Sequence, residues 1–165
     1  MTRRRLPVLG LALLLSAAAL AQTSTPPATP DTPAGPPVST TVTGAAASAR
    51  TTTGAAGVKV DLTLRNTTAT DVALMAGRSN SQQCAFPPHV RVLRVGTREV
   101  VYPSGEPRIC TQELRTETVT ANGTLTLSRT LDLPAGEYVV EVWWQGFAND
   151  EAAKVPAQPV RVTVQ

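Results

Sequence analysis

The chain has 165 residues, 42% apolar, 16% charged and 4% aromatic, which is room for one domain of ordinary size and excludes a multidomain enzyme. Its net charge of +3 rests on Arg3, Arg4 and Arg5; without them 12 basic residues face 12 acidic ones. The clustered cations that phosphate or an anionic membrane would require are therefore missing, and nucleic acid is not an expected partner.

Residues 1–21 read as a secretory signal: basic Thr2-Arg3-Arg4-Arg5, apolar Leu6 to Leu15, then small residues ending Ala19-Leu20-Ala21. The unbroken apolar run is shorter than the roughly 20 residues that span a bilayer. No cysteine stands at the cleavage point to take a lipid. The expectation is an exported chain, periplasmic, envelope-associated or extracellular, with no membrane insertion after cleavage. Residues 22–37 carry Pro26, Pro27, Pro30, Pro33, Pro36 and Pro37 among Thr, Ser and Ala. That composition cannot bury a core and reads as a disordered spacer. The domain is expected over 38–165, with 44–56, rich in Ala and Thr, as a mobile loop.

From Val58 the pattern sharpens. Val58, Val60, Leu62 and Leu64 alternate with Lys59, Asp61, Thr63 and Arg65, the period of a strand with one wet face. Asn66-Thr67-Thr68-Ala69 reads as a turn, because Asn and Thr bond locally to the main chain. A strand should follow over Asp71 to Ala76, then a hairpin in which Val90–Val95 and Arg98–Tyr102 surround Gly96-Thr97. Asn122-Gly123 splits Glu117 to Leu133 into two strands. Leu125, Leu127, Leu131 and Leu133 share one parity with Arg129, which predicts a bulge or a sheet edge at the arginine. Pro134-Ala135-Gly136 turns into Glu137–Gln145, with Tyr138, Val140, Val142 and Trp144 inward and Val139, Glu141 and Trp143 outward. A last strand, Pro159–Gln165, points Val160, Val162 and Val164 inward. About eight short strands in a range of 7–9, without helical periodicity, define an all-β antiparallel immunoglobulin-like sandwich, with a closed barrel as the alternative.

Cys84 and Cys110 are the only cysteines, and in an exported chain such a pair is most simply one disulfide. Closing a loop of that span stabilises by roughly 3 to 4 kcal/mol in the chain-entropy picture. The Cys-x-x-Cys spacing of a redox pair is absent.

Catalytic chemistry leaves little trace. His89, the sole histidine, follows Pro87-Pro88 at a strand start, which suits a solvent-facing or locally bonded imidazole better than a metal ligand. Asn149-Asp150-Glu151 lacks the spaced acids and glycine of a calcium loop, and the acidic residues fall mostly on outward faces or turns. Asn66-Thr67-Thr68 and Asn122-Gly123-Thr124 match the glycosylation triplet, but both suffice as turns. No glycine-rich phosphate cradle is present, so no enzyme activity, metal or cofactor is expected. What remains is surface. Trp143 faces outward and could anchor a partner, or be covered by a loop over Gly146 to Pro156. The segments Arg78–His89 and Pro103–Gln112, joined by the disulfide, would be rigid loops at one end of the sandwich, with Phe86, Pro87, Tyr102, Arg108, Ile109 and Gln112 as partner-binding candidates.

In order, several segments resemble the BsuPI-type intracellular proteinase inhibitor family over approximately Val58 to Trp144. Val60-Asp61-Leu62-Thr63-Leu64-Arg65-Asn66-Thr67-Thr68 is similar to its opening strand and Asn-Thr turn, and Ser81-Gln82-Gln83 stands near its Gly-Gln segment. Glu99-Val100-Val101-Tyr102-Pro103-Ser104, Thr111-Gln112-Glu113-Leu114 and Leu133-Pro134-Ala135-Gly136-Glu137-Tyr138 resemble its hairpin strand, its Thr-Gln-x-Leu and its Leu-x-x-Gly-x-Tyr turn. The resemblance implies an immunoglobulin-like domain that binds a protein, with a serine proteinase as the implied target. It transfers no inhibitory residue. The export signal, the disulfide and Cys84-Ala85-Phe86-Pro87-Pro88, where the family tends toward an aromatic-Asp-Phe stretch, point away from an intracellular target. The expected function is an exported, non-catalytic protein-binding module with a serine proteinase as partner; the alternative is a structural or adhesive domain that binds envelope components.

Overall fold

The computed structural model describes Gly44–Gln165; the expected signal (1–21) and spacer (22–37) lie outside the described residues. Ten strands follow one another: β1 (Ala45–Gly54), β2 (Gly57–Asn66), β3 (Val72–Gly77), β4 (His89–Arg94), β5 (Val100–Tyr102), β6 (Leu114–Val119), β7 (Thr124–Leu131), β8 (Gly136–Ala148), β9 (Glu151–Pro156) and β10 (Val160–Val164). They form an antiparallel sandwich of a three-stranded sheet, β1-β2-β7, and a seven-stranded sheet built on β8.

Two segments expected to be loops are strands. The Ala- and Thr-rich stretch 44–56 supplies β1, which pairs with β2 from Ala45 opposite Asn66 to Gly54 opposite Gly57. Alanine carries almost no strand signal of its own. Here a strong neighbouring strand imposes the ladder, and Ala45, Ala47 and Ala49 lean on the core. The turn needs glycine: Gly57 has φ +106°, and a Cβ there would run into the carbonyl oxygen of Leu131. The segment 146–156 is likewise a hairpin. β8 continues to Ala148, and β9 returns along it with Trp143 opposite Pro156 and Ala148 opposite Glu151. These two strands bring the count to ten, against the expected 7–9.

β8 is the spine of the larger sheet. One edge takes β10 over Gly136–Val140 and then β9 over Trp143–Ala148. The other edge takes β4 over Tyr138–Trp143 and then β3 at Phe147 and Ala148. Outside β4 and β3 lie β5 and β6 respectively. Continuing the β3 register would set Ser79 opposite Trp143, where His89 stands instead, so ten residues are looped out of what is otherwise one strand line. β5 and β6 are interrupted at the same level by Pro103–Glu113. The two excursions therefore leave the side of the sheet, in mid-strand, and not one end of the sandwich.

The core follows the alternation. Val58, Val60, Leu62 and Leu64 of β2 face Val90 and Val92 of β4 and Tyr138, Val140, Val142 and Trp144 of β8, all of them buried. Each such aliphatic side chain contributes about 1.5–3 kcal/mol. Buried Tyr138 donates its hydroxyl proton to the carbonyl of Pro134 at 2.8 Å, closing the corner that leads into β8. Val160, Val162 and Val164 of β10 are half-buried at the margin.

The turn after β2 depends on one buried side chain. The amide nitrogen of Asn66 donates to the carbonyls of Thr70, Val119 and Thr120 at 2.7, 3.2 and 3.1 Å. Its carbonyl oxygen accepts from the amide and hydroxyl of Thr68 at 2.9 and 2.7 Å. Asn66 thus ties the end of the smaller sheet to the end of β6, and its triplet is structural. Removing it strands buried carbonyls, each expensive to leave unpaired. Asn66→Ala should cost about 2–4 kcal/mol in chemical denaturation, with the fold retained at low temperature; a loss below about 0.5 kcal/mol, the level of an ordinary surface substitution, would contradict this role.

Candidate functional site

The two excursions meet at the disulfide. Cys84 and Cys110 are bonded, with Cα atoms 5.3 Å apart and a separation of 26 positions in sequence, as is consistent with an exported protein. The first excursion is folded onto itself. Ser79 and Ala85 form an isolated bridge, Asn80–Gln82 make one 3-10 turn, and Gln83 and Cys84 take left-handed φ of 54° and 64°. Buried Gln82 closes a two-way amide pair with Val90, donating to its carbonyl at 3.1 Å and accepting from its N–H at 3.0 Å.

Arg129 holds this loop from the opposite sheet. Its inward parity reflects neither a bulge nor an accident: β7 pairs with β2 without a break through Val60 opposite Arg129, and β7 lies at the sheet edge. The guanidinium reaches across the gap where the larger sheet is interrupted. It donates to Gln82 Oε1 at 2.9 Å, to the Tyr102 hydroxyl at 3.1 Å and to the Phe86 carbonyl. One cation thereby fastens both excursion bases, and a half-buried charge is satisfied by three acceptors.

A second arginine closes the outer side. Arg78 donates to Glu113 Oε2 at 2.8 Å and to the Cys84 carbonyl at 2.9 Å, and its guanidinium lies 4.4 Å from the centre of the Phe86 ring. Arg115 lies 4.6 Å from the same ring. Further bonds bridge the excursions: Gln83 donates to the Ser104 carbonyl at 2.8 Å and the Arg108 N–H to the Asn80 carbonyl at 3.1 Å.

Nine candidates can now be placed. Cys84, Cys110, Phe86, Pro87, Arg108 and Ile109 fall in the joined excursions and Tyr102 ends β5 at the base of the second, with Phe86, Pro87 and Tyr102 half-buried as anchors and Arg108 and Ile109 exposed. Gln112 is exposed on the limb descending into β6. Trp143 is half-buried on the outer face of the larger sheet. It lines an open depression of about 420 Å³ with Arg78, Ser79, Ser81, His89 and Phe147, so it adjoins the first excursion. What covers part of Trp143 is strand β9, whose Lys154 Nζ lies 4.8 Å from the ring centre, and not a loop. Sequence reasoning marked the segment Arg78–His89 but gave no individual role to Arg78, Asn80 or Gln82 and did not consider Arg115. Arg129 did leave a signal, a cation at a core parity.

His89 is buried, and not solvent-facing. Its ring lies 5.8 Å from that of Trp143, and its Nδ1 and the Trp143 Nε1 have no partner among the described residues. Burial, then the positive charges of Arg129 and Lys154, push its pKa down to about 4, against a backbone hydrogen bond with Gln145. Among the described residues no group of three or more His, Cys, Asp or Glu could hold a metal, and no helix is long and apolar enough to cross a membrane.

No protein-family model matches the chain, and no curated protein matches it. Among solved structures, the X-ray structure of Northeast Structural Genomics Consortium target SoR45 is similar, with a TM-score of 0.42 and 13% identity over 73% of this chain and 87% of that one. That likeness is too distant to carry an argument.

Two outcomes are expected. Arg129→Met removes the donor shared by three acceptors, of which only Gln82 Oε1 keeps another in the Val90 N–H, and should lower stability by about 2–3 kcal/mol in urea while Leu127→Met, at the same parity and half-buried, changes it by less than about 1.5 kcal/mol; equal losses would contradict the role given to the guanidinium. For His89 the folded chain prefers the neutral ring, so the unfolded chain binds more protons between the ordinary value of 6.5 and about 4. Stability present above pH 6.5 should fall as pH drops through that window, by an amount on the order of 3 kcal/mol. His89→Asn should flatten denaturation midpoints measured from pH 7.5 to 4.5; an unchanged slope would contradict the assignment.

Proposed function

We propose that this chain is an exported, non-catalytic protein-binding module that inhibits a serine proteinase by presenting Pro103–Glu113 to the active-site cleft. The observation that carries the reading is the way this segment is held. It has no strand partner, yet it is tied through Cys110 to Cys84, through the Arg108 N–H to Asn80 and through Glu113 to Arg78. A loop fixed before binding loses little entropy on binding, which is what a tight inhibitor needs. The ordered likeness of Val60–Thr68, Glu99–Ser104, Thr111–Leu114 and Leu133–Tyr138 to BsuPI-type inhibitors supports the same reading, as a resemblance only.

A second reading, a structural or adhesive envelope domain, is favoured by Phe147, which is exposed on the outer face of the larger sheet beside the depression lined by Trp143. Binding to envelope fractions that Trp143→Ala abolishes would select it.

The test is progress-curve inhibition of subtilisin-like and trypsin-like proteinases by the mature chain, oxidised and reduced. Saturable inhibition near one-to-one, weakened at least about tenfold in Cys84→Ser/Cys110→Ser, is expected. Ordinary digestion of the oxidised chain, or no effect on any proteinase, would overturn the proposal.

A further inference from the structure

The geometry points to Ile109 as the side chain that enters the partner's primary pocket, and so to a proteinase whose pocket accepts an aliphatic residue; this rests on the inhibitory reading above. From Glu106 to Cys110 the chain runs without turn or bend, and none of these residues has a left-handed φ; the bond from the Glu113 N–H to the Thr111 carbonyl at 2.9 Å turns it only farther on. In such a segment the main-chain groups of successive residues face opposite sides. The Arg108 N–H is committed to the Asn80 carbonyl at 3.1 Å. That sets the N–H of Arg108 against its own protein; the Ile109 carbonyl likewise lies 3.8 Å from Cys84 Sγ, so the main chain is held on both residues while the Ile109 side chain stands free in water.

A peptide that adds to a cleft by main-chain pairing uses alternate residues, and the side chains of those residues set specificity. The apolar side chain available here for such a pocket is that of Ile109. Its exposure is 101%, against 60% for Leu114, 49% for Val100 and 43% for Phe147, the other exposed large apolar side chains among the described residues. An isoleucine so fully in water, immediately before a cysteine locked to the other excursion, is held outward by its neighbours' anchors and by no packing of its own. Transfer of that side chain into an apolar pocket is favourable by the ordinary hydrophobic effect, and no loop ordering opposes it. Arg108 would place a cation in the neighbouring subsite, where charge is tolerated at the rim.

The experiment compares inhibition constants of the full oxidised chain against an elastase-type proteinase with an aliphatic-accepting pocket, a trypsin-type proteinase with an acidic pocket and a broad subtilisin-type one. The native chain should inhibit the elastase-type enzyme. Ile109→Ala should weaken this at least about tenfold, Arg108→Ala less than about threefold, and Ile109→Arg should transfer inhibition to the trypsin-type enzyme. Ile109 is fully exposed, so melting temperatures of its variants should match the native chain and separate pocket effects from folding. Inhibition that survives both Ile109 substitutions, or that Arg108→Ala removes, would overturn this assignment and leave the inhibitory reading standing. No inhibition of any of the three by the native chain would remove the inhibitory reading, and the assignment with it.

Discussion

The hydrogen bonds of Arg129 to Gln82, Tyr102 and Phe86 hold together the two excursions, on which the proposed function depends. A sandwich is stable when its two sheets bury their inner faces against one another. Here the larger sheet is interrupted in mid-strand by two excursions, and the smaller sheet faces a gap. An apolar side chain from β7 would leave the polar backbone of the excursions unsatisfied there. The guanidinium offers several donors in a fixed plane and can satisfy a side-chain amide, a phenol and a carbonyl at once. The gap becomes an anchored seam, and the disulfide then joins the excursions farther out.

This arrangement divides the work between inner and outer restraints. Arg129 and Gln82 set the bases, while Cys84–Cys110, Arg78–Glu113 and the Arg108–Asn80 bond set the outer segment. The Arg78–Glu113 pair is exposed and by itself contributes little in water. Its value is geometric, because it closes the limb that descends into β6. Phe86, held between Arg78 and Arg115, serves the same scaffold through cation–π contact.

Most of the sandwich was legible because β2 and β8 alternate cleanly: Val58 to Leu64 and Tyr138 to Trp144 are inward at every second residue. The disulfide was legible from the cysteine count and the expectation of export. β1 and β9 were not, since Ala45–Ala49 and Ala152–Ala153 have side chains too small to mark a face, and pairing with a strong neighbour decided their state. The site was half legible. Loop composition and the cysteines located the excursions, but which candidates are anchors and which are exposed depended on contacts between residues far apart in sequence, such as Arg129 with Phe86. His89 was misplaced because its ring lies beside that of Trp143, far away in sequence and invisible in Pro87-Pro88-His89.

Backbone amide relaxation of the oxidised chain measures whether Pro103–Glu113 is rigid on its own, as the proposed inhibition requires. Order parameters for Arg108, Ile109 and Cys110 should lie near about 0.85, as in the strands, and fall below about 0.6 on reduction. Values below about 0.6 in the oxidised chain would show an unrestrained loop and contradict the account.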